Sequence, residues 1–354
     1  MKLRVLHCPT STGGNAWYLS RAERALGIDS DVLIAKSHPF EYPVDINLRL
    51  EKTNPVRFAY GKIKAFLEVC DRYDVFHFNF GSSLIDFPYA LLHHLDLPVL
   101  KRKGKKIFMT YQGCDARIRS DTIRRYKTSV CHHCRQWHCS VFADWVKRVR
   151  VRKVSRYADK IFALNPDLLD NLPGASLEFY SCVDLEEVKP IPFEASKTLR
   201  VVHAPSAPEI KGTAIVKKTV ERLRADGFQV ELDLVMNLPH HEAMRRYAGA
   251  HVAVDQLYAG WYGAFAVEAM ALGKPVLCYL REEDLMRHVP FRNEIPIVPS
   301  DEDSLYGNLK MLMTRPALRR ELGLKGRAYV EKFHNPVLIA KRMVEYFEVR
   351  ELSV

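Results

Sequence analysis

Two loops in this 354-residue chain contain residue types that bind phosphate and sugar groups. One loop contains a pair of glycines, and the other contains a lysine. Gly13 and Gly14 separate an apolar segment from an amphipathic one, and paired glycines let the backbone approach a phosphate closely. Lys211 follows another apolar segment at the predicted start of a helix, where a cation opposes the helix dipole unless an anion binds there. The glycine pair also suits a tight turn, and the lysine also suits an exposed surface position.

A third loop, residues 255–263, is rich in glycine and aromatic residues and precedes a helix predicted to begin near Ala264. The amides of Gly263, Ala264 and Phe265 would lie at the start of that helix, where free N–H groups suit a phosphate or a sugar hydroxyl. Glu268 follows about one turn later among apolar residues. A carboxylate there can accept two hydroxyl hydrogen bonds, as from a ribose, whereas a solvent-facing glutamate would fit these neighbours less well.

Four of the eight cysteines fall within a short stretch of the chain and include a Cys-x-x-Cys pair. Thiolates at this spacing are typical ligands of zinc or of an iron–sulfur cluster, and one of three nearby histidines would replace one thiolate. A second Cys-x-x-Cys pair, as in a zinc ribbon, is absent. Two interpretations are open: a structural metal clip for residues 114–140, or a loop with reduced thiols. The residues concerned are Cys114, Cys131, Cys134 and Cys139, with His132, His133 and His138.

The positive charge of the chain is concentrated in one block. The chain has 53 Lys and Arg residues against 42 Asp and Glu, a formal net charge of +11. Residues 101–160 hold 18 of the basic and 4 of the acidic residues, so this block carries +14 and the remainder carries −3. A hydrophobic content of 47% and a charged content of 27% are typical of a folded domain and exclude disorder, collagen and coiled coil as the main architecture.

The basic block has several uses that the sequence leaves open. Residues 145–154 predict a basic amphipathic helix, which suits either an anionic membrane surface or a solvated helix that covers the sheet. Nucleic-acid binding fits the charge, but no nucleic-acid-binding motif is visible. An acidic or phosphate-bearing acceptor is a further use, and charge reversals at Arg148, Arg150 and Arg152 would test it. The apolar side chains expected to share one face of the helix are Trp145, Val146, Val149 and Val154.

Short apolar segments alternate with amphipathic ones along the chain, which predicts βα units and parallel sheets covered on both faces. The pattern pauses at residues 185–198, a predicted linker, and restarts at residue 199. No apolar run approaches the roughly 20 residues that span a bilayer, and the first residues lack a signal-peptide pattern. The sequence therefore predicts a cytoplasmic α/β protein of two halves.

Several of these motifs resemble those of GT-B glycosyltransferases of family 4. Residues 260–276 resemble the donor-site signature of that family, in which a Glu, seven residues, Glu-Ala-Met/Leu-Ala and Gly-x-Pro-Val follow one another. Lys211-Gly212 is similar to the Lys-Gly that binds the donor diphosphate, and Gly13-Gly14 to the glycine loop of the N-domain. Residues 113–115 resemble the family's His-Gly-Ser-Asp stretch, and residues 180–184 its Asn-Gly-Val-Asp stretch. The resemblance covers nearly the whole chain.

The resemblance implies the GT-B fold, with two Rossmann-like domains facing each other across a cleft. An N-terminal acceptor-side domain would comprise residues 1–184 and a C-terminal helix, 336–354, that packs back on it. A nucleotide-sugar-binding domain would comprise residues 199–335, after the linker. The protein would be cytoplasmic, with peripheral binding to the inner face of the membrane as a further expectation.

The resemblance also implies a hexosyltransferase-type enzyme that moves a sugar from a nucleoside-diphosphate sugar to a glycan or lipid-linked acceptor in polysaccharide biosynthesis. Transfer would be retaining and need no metal, with the leaving diphosphate taking the acceptor proton and the protein stabilising its charge. Lys211 would bind the diphosphate and Glu268 the ribose. The other expected site residues are Gly13, Gly14 and His203 toward the donor, Gln112 toward the transferred sugar, and Asp115 and Arg117 toward the acceptor.

Three positions depart from the family pattern. The first Glu of the paired-Glu motif falls on Gly260, and the Arg that usually precedes the Lys falls on Pro205 or Ser206. The His of His-Gly falls on Gln112, which can hydrogen-bond a hydroxyl but cannot act as a base. His203 or an arginine of the basic block would have to replace the missing cation. A non-catalytic protein that binds a nucleotide-sugar or a partner is therefore the alternative to a transferase.

Overall fold

The chain forms two compact units in a computed structural model. The structure describes residues 3–37, 40–87, 90–134, 136, 139–178, 183–192 and 196–348. Unit 1 consists of Met1–Ser120, Ser140–Cys182 and Pro336–Val354, and unit 2 consists of Asp121–Cys139 and Val183–Asn335. Within the described residues, no helix combines the length and apolar character needed to cross a bilayer.

Unit 1 is built on a seven-stranded parallel sheet with the order β3-β2-β1-β4-β5-β6-β7. All five residues of β4 are buried, as expected for a central strand covered on both faces. The two-residue edge strands β3 and β7 were not predicted, because two residues show no periodicity. The strands are β1 Arg4–Cys8, β2 Asp29–Ile34, β3 Ile46–Asn47, β4 Val75–Asn79, β5 Lys106–Tyr111, β6 Lys160–Ala163 and β7 Ser176–Leu177.

Six α-helices occur between β1 and β7 in the described part of the chain, and local signals fix the starts of the two longest. Asn54 caps α2 by accepting a hydrogen bond from the Arg57 amide, and Ser140 caps α6 through the Ala143 amide. Pro55 occupies the first turn of α2, where its missing N–H costs nothing. These helices are α1 Asn15–Ala25, α2 Pro55–Val69, α3 Leu97–Arg102, α4 Arg119–Arg125, α5 Val130–His133 and α6 Val141–Tyr157.

Unit 2 is built on a five-stranded parallel sheet with the order β12-β11-β10-β8-β9. Its strands are β8 Leu199–His203, β9 Val230–Leu234, β10 Val252–Val254, β11 Val276–Cys278 and β12 Val298–Pro299. Its remaining helices are α7 Pro208–Lys211, α8 Thr213–Ala225, α9 His240–Gly249, α10 Ala264–Ala271, α11 Glu282–His288, α12 Leu305–Thr314 and α13 Pro316–Phe333.

The last helix, α14 Pro336–Glu348, belongs to unit 1. The helices of this unit pack against both faces of its sheet. One core contains side chains of α1 and α14, such as Leu19 and Met343, against Val5 of β1. The other core contains side chains of α2, α3 and α6 against Leu6. Successive residues of β1 thus point to opposite faces, which places α2, α3 and α6 in one layer.

Helix α6 differs from the predicted amphipathic pattern. Val154 is fully buried whereas Trp145 is 53% exposed, so the four apolar side chains expected on one face do not share it. The buried face instead contains Val151 and Val154, together with Asp144 and Lys147. Asp144 accepts hydrogen bonds from the amides of Arg119 and Ser120, the first two residues of α4, which explains how a carboxylate can be buried there.

Residues 121–139 belong to unit 2, whereas the sequence-based division assigned them to an N-terminal domain of residues 1–184. The chain leaves unit 1 after Ser120 and re-enters it at Ser140. Side chains of residues 121–139 form a small apolar cluster with other residues of unit 2. The ring of His133 stacks on that of Tyr258, with centroids 3.7 Å apart. The cluster members are Ile123, Val130, Cys131, Ile210, Ile215, Tyr258 and Ala259.

A buried arginine, Arg281, holds residues 121–139 in place through several contacts. Arg281 is only 1% exposed, and its guanidinium carbon lies 3.8 Å from the ring centroid of Tyr126. It also donates to the Thr128 carbonyl at 3.1 Å and forms an ion pair with Asp284 at 2.7 Å. The Tyr126 hydroxyl donates to the same carboxylate at 2.7 Å. The contacts of Tyr126 with Asp284 and of Thr128 with Arg281 join residues 158 and 153 positions apart, so local sequence patterns could not predict them.

Candidate functional site

Lys211 forms an ion pair with Asp255 in unit 2. Its ammonium lies 3.2 Å from Asp255 Oδ1, and its side chain is 15% exposed. Lys211 is the last residue of the short helix α7 and precedes α8 by one glycine, so it does not start a helix as predicted. The buried carboxylate accounts for the position of this cation without a bound anion.

The Asp255 carboxylate is fully buried and binds two different groups, the Lys211 ammonium and the Gly263 amide. It follows β10, and its Oδ2 accepts a hydrogen bond of 2.7 Å from the amide of Gly263, the residue that precedes α10. The Gly263 amide was expected to face the sugar and phosphate, but here it has a protein partner. Asp255 therefore holds the start of α10 beside Lys211.

The first turn of α10 keeps two amides available for an anion. No side chain of a described residue caps this helix. The Ala264 and Phe265 amides form no hydrogen bond with the part of the chain that the structure describes. Free amides at a helix N-terminus attract an anion. Lys211, which is bound to the same Asp255 carboxylate as the start of this helix, adds a positive charge beside them.

Glu268 is buried in α10 and contacts a histidine that the sequence analysis did not select. The residue is 7% exposed, and its Oε1 lies 2.8 Å from Nε2 of His240. A carboxylate only accepts, so Nε2 of His240 carries the proton in this hydrogen bond. The second oxygen of Glu268 keeps its capacity to accept a hydroxyl, as the expected ribose contact requires.

His203 does not fit the expectation that it supplies the missing cation. It is fully buried at the end of β8, with Nδ1 2.7 Å from the Val254 carbonyl and Nε2 2.9 Å from the Thr213 hydroxyl. Burial lowers the pKa of His203 to about 4. The imidazole is therefore neutral near pH 7 and links β8, β10 and the start of α8.

The presence of glycine at position 260, where the family signature has its first Glu, has a structural explanation. Its φ is +78°, and a β-carbon at this position would lie 2.6 Å from the guanidinium carbon of Arg281. The Arg281 amide also donates to the Gly260 carbonyl at 3.0 Å. A glutamate side chain at position 260 would thus collide with the arginine that anchors residues 121–139.

The aromatic residues of the 255–263 loop are packed into unit 2. Trp261 and Tyr262 are each 4% exposed, and their rings stack with centroids 4.4 Å apart. The Tyr262 hydroxyl lies 2.9 Å from that of Tyr329 and 3.0 Å from Nε2 of His334. These rings brace the loop and do not form an exposed platform for a sugar.

The glycine loop of unit 1 lies directly before α1. Gly13 and Gly14 both have positive φ, and a β-carbon on Gly14 would lie 2.6 Å from the ring of Tyr42. The positive φ and this close approach both favour glycine at position 14, whether or not a ligand binds there. Its role toward the donor stays a prediction.

Gln112 and Asp115 form a tight turn after β5. The Asp115 carboxylate accepts hydrogen bonds from the Gln112 amide at 2.9 Å and the Gly113 amide at 2.6 Å. Burial raises the pKa of Asp115 to about 6, although these two amides oppose the shift. The side-chain nitrogen of Gln112 is buried and has no hydrogen-bond partner among the described residues. This donor is the group in the turn that remains available to a hydroxyl.

Arg117 is engaged within unit 1. Its Nε and Nη2 lie 2.6 and 3.1 Å from the two oxygens of Asp167, and both residues are buried. The bidentate geometry neutralises the guanidinium charge locally. Arg117 thus orders the turn after Asp115, and the expected acceptor contact stays a prediction.

The cysteine cluster is divided between the units. Cys114 lies in unit 1, whereas Cys131, Cys134 and Cys139 lie in unit 2, where the sulfurs of Cys134 and Cys139 are 3.3 Å apart. Within the described ranges, no three His, Cys, Asp or Glu side chains are arranged to hold a metal ion. His138 lies outside the described residues.

A separate cavity of about 820 Å³ opens at the amino ends of the unit-2 strands. It is lined in part by Arg200, His251, Lys274 and Arg320 and contains none of the predicted site residues. The loops that carry Lys211, Asp255 and Gly263 follow the carboxyl ends of β8 and β10, where open parallel sheets bind ligands.

Solved structures align with nearly the whole chain. The sucrose-phosphate synthase of Thermosynechococcus elongatus is 16% identical over 98% of both chains, with a TM-score of 0.66. Anabaena HepE in complex with UDP and glucose is 13% identical over 99% of this chain and 100% of its own, with a TM-score of 0.65. The glycosyltransferase SnogD from Streptomyces nogalater is 12% identical over 97% and 100%, with a TM-score of 0.50. The chain has the GT-B fold. The sequence matches no protein-family model and no curated protein.

The GT-B assignment confirms the fold class predicted from the sequence. Two residues of this GT-B chain, Asp255 and His240, were missed as members of the site. Asp255 ends a short apolar strand just before the glycine-rich loop, and that position was the available signal. His240 is adjacent to His241 in a polar stretch, and nothing in the sequence pairs it with Glu268.

Proposed function

We propose that the protein is a glycosyltransferase that moves a sugar from a nucleoside-diphosphate sugar to a glycan or lipid-linked acceptor. The GT-B fold is compatible with this activity, and the cluster around Asp255 supports it most directly. That cluster joins a lysine and an open helix N-terminus at the carboxyl edge of the unit-2 sheet. Both features favour a dianionic leaving group.

In this proposal, the residues of unit 2 bind and position the donor. Lys211 and the amides of Ala264 and Phe265 contact the diphosphate and stabilise the charge that develops on it as the glycosidic bond breaks. Glu268 accepts hydrogen bonds from the ribose hydroxyls through the oxygen that His240 leaves available. Asp255 does not touch the donor but fixes Lys211 and α10.

The finer features of the reaction follow the family resemblance and are part of the same proposal. Transfer is retaining and independent of a metal, and the enzyme is of hexosyltransferase type in polysaccharide biosynthesis. Gln112 donates from its side-chain nitrogen to a sugar hydroxyl, since that nitrogen has no partner in the described part of the chain. The expected roles of Gly13 and Gly14 toward the donor and of Asp115 toward the acceptor belong to the same proposal. A structural metal at the cysteines is a separate question that metal analysis of the purified protein answers.

A thermal-shift screen over nucleotide-sugars, followed by an assay for released nucleoside diphosphate, tests the proposal. UDP-sugars come first because HepE and Staphylococcus aureus MnaA are solved with UDP. We expect Lys211→Ala to lower kcat/KM by roughly 100-fold, as loss of a charge-stabilising contact does. Lys217→Ala, on the exposed side of α8, is the matched control and should leave the rate unchanged.

The alternative is a GT-B protein that binds a nucleotide-sugar without transferring it. One observation favours it: His203, the neighbouring candidate for a second cation, is neutral and fully engaged. Tight binding of a nucleotide-sugar with no diphosphate release against any glycan or lipid-linked acceptor would establish this alternative and exclude transfer.

A further inference from the structure

Helices α2, α3 and α6 form one layer of unit 1, and the outer face of this layer is unusual. All three helices bury side chains in the same core on one face of the seven-stranded sheet. Their opposite sides therefore face away from the sheet. The outer side of a surface helix is normally polar, because its apolar stripe faces the core.

Helix α2 has a second apolar stripe on its outer side. Val56, Tyr60, Ile63 and Leu67 are 80, 66, 40 and 66% exposed. Their spacing of four, three and four residues aligns them along one line of the helix. The buried side of α2 is formed by other residues, among them Phe66 and Val69. The outer stripe thus has no core to pack against.

The apolar surface continues across the rest of the layer. Lys62 of α2 donates to the Asp86 carbonyl, and Phe87 pairs with Leu92, so the loop of residues 86–87 and 90–95 lies beside α2. Lys153 of α6 donates to the His93 carbonyl and connects the same loop to α6. Of the 16 large apolar residues exposed in the described part of the chain, ten belong to this surface: Val56, Tyr60, Ile63, Leu67, Leu91, Leu92, Leu95, Val141, Phe142 and Trp145.

The same helices carry a strong positive charge. The structure describes every residue of α2, α3 and α6, and the exposed acidic side chain among them is Glu68. Arg150, one of the arginines expected to act at a surface, is not among the exposed cations, because its side chain is only 15% exposed. The exposed basic side chains are Arg57, Lys64, Lys101, Arg102, Arg148, Arg152 and Arg156. Two of them form ion pairs at the surface, Lys64 with Glu68 and Lys101 with Asp159.

We propose that this layer, defined as the outer face of α2, α3, α6 and the loop of residues 86–87 and 90–95, binds the surface of an anionic lipid bilayer. Aliphatic side chains enter the boundary between headgroups and acyl chains, while Tyr60 and Trp145 suit the headgroup level. Arginine and lysine bind anionic lipid, each contributing about five-fold to the partition coefficient. A nucleic acid would match the charge but not ten exposed apolar side chains, so the lipid surface satisfies both observations.

Co-sedimentation of the full chain with lipid vesicles tests this proposal without any reference to catalysis. Vesicles of phosphatidylcholine with about one third phosphatidylglycerol should retain the protein, and pure phosphatidylcholine should retain far less. Raising the salt from about 0.1 M to about 1 M should weaken retention, because screening shortens from ~10 Å to 3 Å.

Paired variants separate the two components of binding. Ile63→Gln with Leu67→Gln, and separately Arg148→Glu with Arg152→Glu, should each reduce the partition coefficient at least about ten-fold. Matched controls change exposed residues of unit 2: Met286→Gln with Leu324→Gln, and Lys217→Glu with Lys218→Glu. The controls should bind vesicles like the unmodified chain, and all variants should keep its melting temperature.

Three results would overturn the proposal. Equal retention on neutral and anionic vesicles would exclude recognition of anionic lipid. Retention by an oligonucleotide, with none by vesicles, would assign the surface to nucleic acid. A dimer in sedimentation velocity that Ile63→Gln with Leu67→Gln dissociates, again without vesicle binding, would assign the surface to a second copy of the chain.

Discussion

The Asp255 carboxylate holds Lys211 at 3.2 Å through one oxygen and the Gly263 amide at 2.7 Å through the other. A single buried side chain thereby sets the distance between a cation and a helix N-terminus. The cation and the helix start come from loops after two adjacent strands, β8 and β10. Asp255 is thus a positioning residue of the proposed donor site.

Asp255→Asn should lower the free energy of unfolding by about 2 kcal/mol, because Lys211 then loses its partner in a mostly buried position. Lys211→Met in the same chain should recover part of this loss, since no charge is left unpaired. Urea titrations of the single and double variants measure both effects. Asp303→Asn changes an exposed carboxylate of unit 2 and should stay within about 0.5 kcal/mol. Equal values for the two asparagine variants would refute the role of Asp255.

Gly260→Ala should destabilise the protein more than Gly227→Ala. Both glycines have positive φ, +78° and +86°, so both variants incur about 1 kcal/mol of backbone strain. A β-carbon at position 227 meets no atom within 4 Å, whereas one at position 260 meets Arg281 at 2.6 Å. We expect a further loss of about 2 kcal/mol at position 260 in urea titrations.

The same contact predicts that restoring the family residue will not help. Gly260→Glu should lower both stability and donor binding, because the longer side chain displaces Arg281 from Tyr126. A Gly260→Glu protein that is as stable as the unmodified chain would contradict the packing argument. The measurements are the melting temperature and the affinity for the donor found in the screen.

Glu268→Ala should weaken binding of the nucleoside diphosphate by about ten-fold to 100-fold, as loss of hydrogen bonds to a charged group does. The loss should be specific to the ribose: a 2′-deoxy analogue should bind the unmodified protein more weakly but bind the variant like the parent nucleotide. Calorimetric titration provides both affinities. Glu242→Ala, on the exposed side of α9, is the control. If the deoxy analogue loses affinity equally in both proteins, Glu268 does not contact the ribose.

The Asp115 carboxyl should make the stability of the protein depend on pH in an unusual direction. Its folded pKa of about 6 lies above the value of about 3.9 in an unfolded chain, so the folded state binds the proton more tightly. The contribution to stability is therefore present below pH 4 and is lost as pH rises through 6. Relative to Asp115→Asn, the unmodified protein should gain about 1.3 kcal/mol between pH 7 and pH 5 in urea titrations. A difference that stays constant with pH would contradict the assignment.

Much of the fold could be predicted because the strands and helices carry strong periodic signals. The apolar segments Lys160–Ala163 and Leu199–His203 predict two strands, and the observed strands β6 and β8 have these same bounds. The apolar pattern of residues 56–73 predicts one helix that ends at Tyr73, but α2 ends four residues earlier, at Val69. Cys70 and Tyr73 continue the core without continuing the helix. Short edge strands such as β3 carry too few residues for any periodicity.

The arrangement of the site was less predictable than its location. The sequence selected Lys211 and Glu268, but their partners Asp255 and His240 are 44 and 28 residues away along the chain. The departure at Gly260 was visible in the sequence, whereas its cause, Arg281, depends on a contact with residues 121–139. The periodicity of apolar residues indicates burial and local structure. It does not indicate which polar groups, far apart in the sequence, will lie together in a buried site.

The membership of residues 121–139 in unit 2 has a consequence for the order of events during synthesis. Tyr126 is translated 158 residues before Asp284, its hydrogen-bond partner. At usual translation rates this interval is about ten to thirty seconds. Val130 and Cys131 cannot reach their final apolar contacts with Tyr258 and Ala259 during most of that time. A nascent chain that has been translated only as far as Cys182 therefore exposes these side chains, and a fragment of residues 183–335 would leave Arg281 without the ring and carbonyl that it contacts in the complete protein.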